Sequence, residues 1–421
     1  MKQTITEKIF SEHVGKEVFA GQIVESNIDM VIGNDITTPI SIKAFKESGA
    51  KKLANPKGFA IVMDHYIPAK DIMSANQAKI SRDFAYEHDL PNFFDEKDMG
   101  IEHALIPEKG LVVPGDVIIG ADSHTCTHGA IGAFSTGMGS TDLAYAMITG
   151  KNWFKVPSTI KVEFIGKPGD HIYGKDLILE VIRQIGVDGA LYKALEFTGD
   201  GIGYLDMDSR FSLCNMAIEA GGKSGIIAVD DITREFLSKV NLRSEPKIHY
   251  SGDGANYEKI LRIDVSKLEP VIAYPFLPSN GKSVSQAVKD DIKIDQAFIG
   301  SCTNGRLSDL RIAAKILKGK KVAKHTRLII TPATQKIALA AQKEGLMDIF
   351  VEAGAVVSNP TCGACLGGYM GILGAGERCI STTNRNFVGR MGDRTSEVYL
   401  ANSAVAAASA IAGKIVDPRD I

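Results

Sequence analysis

Three cysteines sit where metal or thiol chemistry could be done: Cys302 in Gly300-Ser-Cys-Thr-Asn-Gly305, and the pair Cys362 and Cys365 in Asn359-Pro-Thr-Cys-Gly-Ala-Cys-Leu-Gly-Gly368. A turn-borne Cys-x-x-Cys brings two sulfurs close together, and a third sulfur on another loop can complete a triangular site. Four cysteines would suggest structural zinc or a fully ligated cluster. Three suggest a metal centre with one position left open, which is what catalysis at a metal needs. Structural zinc would want a fourth ligand, and no histidine follows at finger spacing. A thioredoxin-type pair would want to open a helix after a strand, and it leaves Cys302 idle. A cubane iron–sulfur cluster with one iron not held by the protein uses all three thiols. Gly363, Gly367 and Gly368 fit that reading, because backbone amides must approach bridging sulfides closely. Cys126, Cys214 and Cys379 read as buried packing residues.

The elements that must position these groups are short apolar runs stopping at polar turns. Gly58-Phe-Ala-Ile-Val-Met63 ends in Asp64-His65, Asp116-Val-Ile-Ile-Gly120 in Ala121-Asp122-Ser123-His124, and Asp295-Gln-Ala-Phe-Ile-Gly300 in Ser301-Cys302-Thr303-Asn304. Residues 308–317 and 332–344 carry apolar positions at helical spacing. Alternating buried strands and helices predict an α/β fold, with ligands gathered past the strand ends. Three units are predicted, 1–155, 156–275 and 276–421. The first boundary is drawn at Pro157 before Thr159-Ile-Lys-Val-Glu-Phe164; the second is a linker marked by Pro270, Pro275, Pro278 and Asn280-Gly281. The small-residue run 401–412 predicts a closely packed helix.

The chain has 421 residues and a formal net charge of −2, which argues against general attraction to nucleic acid or an anionic membrane. No apolar run is long enough to span a bilayer, and the first ten residues lack a signal-peptide core, so a cytoplasmic location is expected. With few cysteines and a reducing compartment, disulfides are not expected.

Seven motifs, in order along nearly the whole chain, resemble the aconitase superfamily, and within it the large subunits of the isopropylmalate dehydratase and homoaconitase group. They are Asp64-His65; Gly100-Ile-Glu-His103; Gly120-Ala-Asp-Ser-His-Thr125; Cys214-Asn-Met-Ala-Ile-Glu219; Gly300-Ser-Cys-Thr-Asn304; Cys362-Gly-Ala-Cys365; and Asn384-Arg-Asn-Phe-Val-Gly-Arg390. The resemblance implies three α/β domains around a [4Fe-4S] cluster on Cys302, Cys362 and Cys365. It implies His65, oriented by Asp64, as proton donor to the leaving oxygen, with His103, Asp122 and Glu219 as the supporting acid–base network. Arg385 and Arg390 would clamp substrate carboxylates, Ser123, His124 and Asn384 would line the substrate, and Asn304 and Asn215 would support the cluster. His128 has no assigned role and reads as structural.

Single-chain aconitases continue into a mobile fourth domain that supplies a serine base; here the chain stops at Ile421. A small partner subunit bringing that domain is therefore expected. The implied reaction is dehydration and rehydration of a small hydroxy-polycarboxylate, foremost the interconversion of 2- and 3-isopropylmalate in leucine biosynthesis. Homoaconitate or methylmalate, dimethylmalate and citraconate chemistry is the alternative. Iron-regulatory RNA binding is an alternative of another class, against which the near-neutral charge and the acid–base residues stand.

Overall fold

Strands buried at every position, such as Phe59–Val62, Val117–Gly120 and Gln296–Ile299, need cover on both faces, and parallel sheets flanked by helices provide it. The computed structural model describes residues 2–421 and contains three such sheets. The first has five parallel strands in the order Asn92–Phe94, Phe59–Val62, Met30–Asn34, Val117–Gly120, Phe134–Gly137. The second has four, Ser224–Ile227, Ala194–Thr198, Thr159–Ile165 and Lys259–Asp264, also all parallel. The third has seven, with a parallel run Glu397–Leu400, Arg378–Ser381, Gln296–Ile299, Arg327–Ile330, Val356–Val357. The antiparallel pair Ile23–Asn27 and Lys151–Lys155 alternates exposed and buried residues instead, as a ribbon with one wet face does.

Alternation along each strand sorts side chains into layers. Val31, Ile61, Val117 and Ile119 pack with Ile5, Phe10, Phe45, Phe84 and Leu143 from the helices on one face of the first sheet. Met30, Ile32, Ala60, Val62 and Ile118 point the other way, into a continuous core shared with Phe197 and Leu195 of the second sheet and Phe298 and Leu400 of the third. The helix Ser403–Ala412 is buried from Ser403 to Ala410, with Asn402 as its cap, so the small-residue run does serve close packing.

Two segments differ from their sequence reading. Residues 270–281, read as a linker, fall in a hairpin at the edge of the third sheet: Val271–Ala273 pairs with Gly281–Ser283, and Tyr274 N donates to Asn280 O at 2.9 Å. Pro275 and Pro278 lie in its loop, where no ladder N–H is required. We propose that the third unit begins ahead of Val271. The helix read at 332–344 is Gln335–Lys343, capped by Thr334. Ala333 is drawn out of it by backbone bonds with Ile101 and Gly305 (2.8 and 2.7 Å), the first of which ties the first and third sheets together. Among the described residues, no helix is long and apolar enough to cross a membrane.

Close approach of the second sheet to the turn Ser123–Ile131 depends on Gly129. A Cβ there would lie 1.7 Å from Gly225 O. Gly129→Ala is expected to destabilise the fold by about 1–3 kcal/mol, because the backbone itself must move. Urea unfolding monitored by far-ultraviolet circular dichroism checks this.

Candidate active site

The carboxyl ends of the first and third sheets meet. Cys362 N donates to Asp64 O at 2.9 Å, Thr361 Oγ1 to the same oxygen at 3.0 Å, and Arg306 Nη2 to His103 O at 2.9 Å. One cavity at this junction is lined by Asp64, His65, Ile101, Glu102, His103, Asp122, His124, Cys302, Cys362, Cys365, Asn384 and Arg390.

Cys302 follows the strand Gln296–Ile299 by three residues, on a short helix entered through Ser301 at φ +74°, a left-handed conformation costly for serine. Cys362 and Cys365 flank Gly363, whose φ of +63° suits glycine. All three thiols are buried and none is in a disulfide. Asn384 joins them, with its Nδ2 3.3 Å from the Cys302 sulfur and its Oδ1 accepting from Cys365 at 3.4 Å; Asn215 Nδ2 is also 3.3 Å from Cys302. Burial drives the Cys302 thiol up, whereas a hydrogen bond from Cys362, with Arg390 and His124 nearby, holds Cys365 well below its usual range. Among the described residues, the compact three-ligand sets, with atoms within 4.8 Å of one another, are Asp35–Asp64–His65 and Glu102–His103–Asp122. The cysteines are not such a set. Three buried sulfurs spread around one cavity, with amide donors aimed at them, fit a polynuclear sulfide cluster better than one ion.

The first acid–base pair is His65 Nδ1 on Asp64 Oδ1 at 2.6 Å. Asp35 fixes the loop beneath it, accepting the backbone N–H groups of Asp64, His65 and Tyr66 at 3.2, 2.9 and 2.7 Å. Burial works against the imidazolium, but the Asp64 and Asp35 carboxylates outweigh it and hold His65 well above its ordinary value. Asp35→Ala would strand three backbone amides, and an unfolding free energy lower by about 3 kcal/mol is expected in chemical denaturation.

The second pair extends into a chain. His103 Nε2 meets Asp122 Oδ1 at 2.9 Å, and His124 lies 3.4 Å from the same oxygen. His124 Nε2 meets Glu219 Oε1 at 2.9 Å, and Glu219 takes Arg385 Nε at 2.7 Å. Burial alone would push Asp122 up, but His103 and His124 hold it well below the usual carboxylate range.

Of the residues singled out from sequence, Asp64, His65, His103, Asp122, His124, Asn384, Arg390 and the three cysteines line the cavity together. Asn215, Glu219 and Arg385 form the layer behind them. Arg385 gives its Nε to Glu219. Asn304 is not beside a sulfur: its amide nitrogen donates to Ser212 and Asp309, at 3.0 and 2.9 Å. Ser123 is half-buried beside the cavity, not in its lining.

Sequence reasoning passed over two carboxylates here. Asp35 stands past the end of Met30–Asn34, the same strand-end position that flagged Asp64, and that was its available signal. Glu102 lay inside a quoted motif without a role. It is 1% exposed, burial and the neighbouring Asp64 and Asp122 push its carboxyl well up, and its Oε2 has no partner.

The Aconitase family (aconitate hydratase) profile matches residues 7–413. The chain is 90% identical over 419 residues to the 3-isopropylmalate dehydratase large subunit of Campylobacter fetus subsp. fetus, covering all of both chains. Proteins of the same description from Campylobacter curvus (85% over 421 residues) and Sulfurovum sp. (78% over 426 residues) are likewise matched over their whole length.

Proposed function

The chain belongs to the aconitase family, and from that premise we propose that it is the cluster-bearing subunit of a hydro-lyase interconverting 2- and 3-isopropylmalate. The observation that carries the reading is the shared cavity of Cys302, Cys362, Cys365, Arg390 and two carboxylate-bound histidines. The full-length relatives named for this activity support the choice of substrate.

When bound, a [4Fe-4S] cluster held by Cys302, Cys362 and Cys365 would supply a Lewis acid that polarises the substrate's hydroxyl and carboxylate. His65 gives the proton that the departing oxygen needs; with Nδ1 tied to Asp64, Nε2 is the nitrogen that delivers it. Asp64 orients the ring and stabilises the cation. Arg390 is mostly buried without a carboxylate partner, and its planar fork suits a substrate carboxylate. Arg385 and Glu219 hold His124, and through Asp122 they hold His103 in the tautomer set by its Nε2 bond.

A smaller partner subunit belongs to this reading, supplying the base for the carbon-bound proton. Support comes from the relatives' description as large subunits and from Phe387 and Val388, exposed apolar side chains on the loop between Arg385 and Arg390. The test is anaerobic co-expression with the small subunit, followed by assays on isopropylmalate, homoaconitate and citraconate. Turnover of isopropylmalate is expected; activity confined to the other two overturns the substrate, and zinc without iron overturns the hydro-lyase.

A further inference from the structure

Lys175 is 0% exposed and sits in the first turn of the helix Gly174–Ile185. Its ammonium donates to Thr382 O at 3.0 Å and also to Thr383 O, two neutral acceptors. Among the described residues no carboxylate forms an ion pair with it. The equally buried Arg210 shows the ordinary solution, a two-pronged pair with Asp230 at 2.6 Å on both arms. A cation removed from water without an anion is strongly disfavoured.

Burial pulls the Lys175 ammonium down to about 8, opposed by negative charge at Cys365 and Cys302 and, behind them, at Asp309 and Asp176. Both of those acids are satisfied elsewhere. Asp309 accepts from Asn304, Ser403 and the Arg306 amide, and burial pushes it up to about 7. Asp176 accepts from Asn402 and the amides of Val271 and Tyr173, and burial pushes it up to about 6. The threonine carbonyls that hold Lys175 lead directly into Asn384, which touches both Cys302 and Cys365, while Thr382 Oγ1 exchanges hydrogen bonds with Gly300, two residues before Cys302.

We infer that Lys175 is the built-in counter-ion of the iron–sulfur site, a buried ammonium behind Asn384 that offsets the negative charge of the three-thiolate cluster and sets how firmly iron is kept. The inference rests on the cluster reading above. A cubane on three thiolates carries net negative charge, and in a dry site that charge is poorly screened. The positive end of the helix Gly174–Ile185 adds to the field of the same sign.

The experiment compares wild type with Lys175→Met, similar in length but uncharged, each as anaerobically reconstituted holoprotein and as cluster-free protein. The holo variant is expected to lose iron to a chelator about tenfold faster or more, with its cluster reduction potential shifted lower. Cluster-free Lys175→Met is expected to melt no lower than cluster-free wild type, since an unpaired buried charge has been removed. Iron loss within about twofold of wild type with an unchanged potential would overturn the inference. A cluster-free variant that melts lower, or fails to fold, would also overturn it, leaving Lys175 a brace for Thr382 and Thr383. Wild-type protein that takes up no iron–sulfur cluster sinks the parent reading, and this one with it.

Discussion

Cys362→Ser, purified anaerobically with its partner subunit, is expected to turn over isopropylmalate at least about a thousandfold more slowly than wild type. A bound Lewis acid contributes several kcal/mol of transition-state stabilisation, and each 1.36 kcal/mol is about a factor of ten. Cys362 is 6% exposed, and its backbone N–H is anchored on Asp64 O, so serine can occupy the position without disturbing the turn. The loss should therefore appear together with low iron and sulfide content and a near-native circular dichroism spectrum. Normal iron content with normal turnover would remove Cys362 from the ligand set. Cys365→Ser should behave alike. Cys379→Ser should not, because that thiol donates to Ile380 O and lies outside the cavity.

The second large effect is expected at His65. His65→Asn removes the proton donor while leaving the thiols untouched, so kcat should fall about 10²- to 10⁴-fold with iron content unchanged. The pH profile carries the finer test. His65 is held well above its ordinary value of 6.5, with Asp64 and Asp35 overcoming the effect of burial. The raised value extends the protonated ring upward from its ordinary range, and the same ion pair stabilises the fold fully below the unfolded-state pKa and ceases to do so as pH rises through the folded one. Asp64→Asn deletes the principal anion, so the alkaline limb of the activity profile should move to lower pH. An alkaline limb that stays in place would assign it to another group.

The sequence carried the chemistry further than the connectivity. Asp64, His65, Asp122 and Cys302 could be found because each lies within three residues of the end of an apolar strand, and a parallel sheet delivers the residues past its strand ends to one edge. The segment 270–281 was read as a linker, because prolines and an Asn-Gly mark a hairpin loop and a linker equally well. What separated the two was the pairing of Ala273 with Leu400, more than a hundred residues away. Asn304 was grouped with the cluster by the motif resemblance, whereas its amide nitrogen is turned to Ser212 and Asp309.

Residue type and spacing alone pointed to the α/β class and the three thiols, while the two histidines with carboxylates to orient them and the arginines that follow Asn384 came from the motif resemblance. These are local properties, written in strand periodicity, glycine placement and reach along a turn. Tertiary structure decided which charges neutralise one another. Arg385 is joined to Glu219 across 166 positions, whereas Lys175 is left against the neutral carbonyl of Thr382 across 207. Electrostatic pairing depends on distance in space and on exclusion of water, and a linear sequence specifies neither until the sheets have packed.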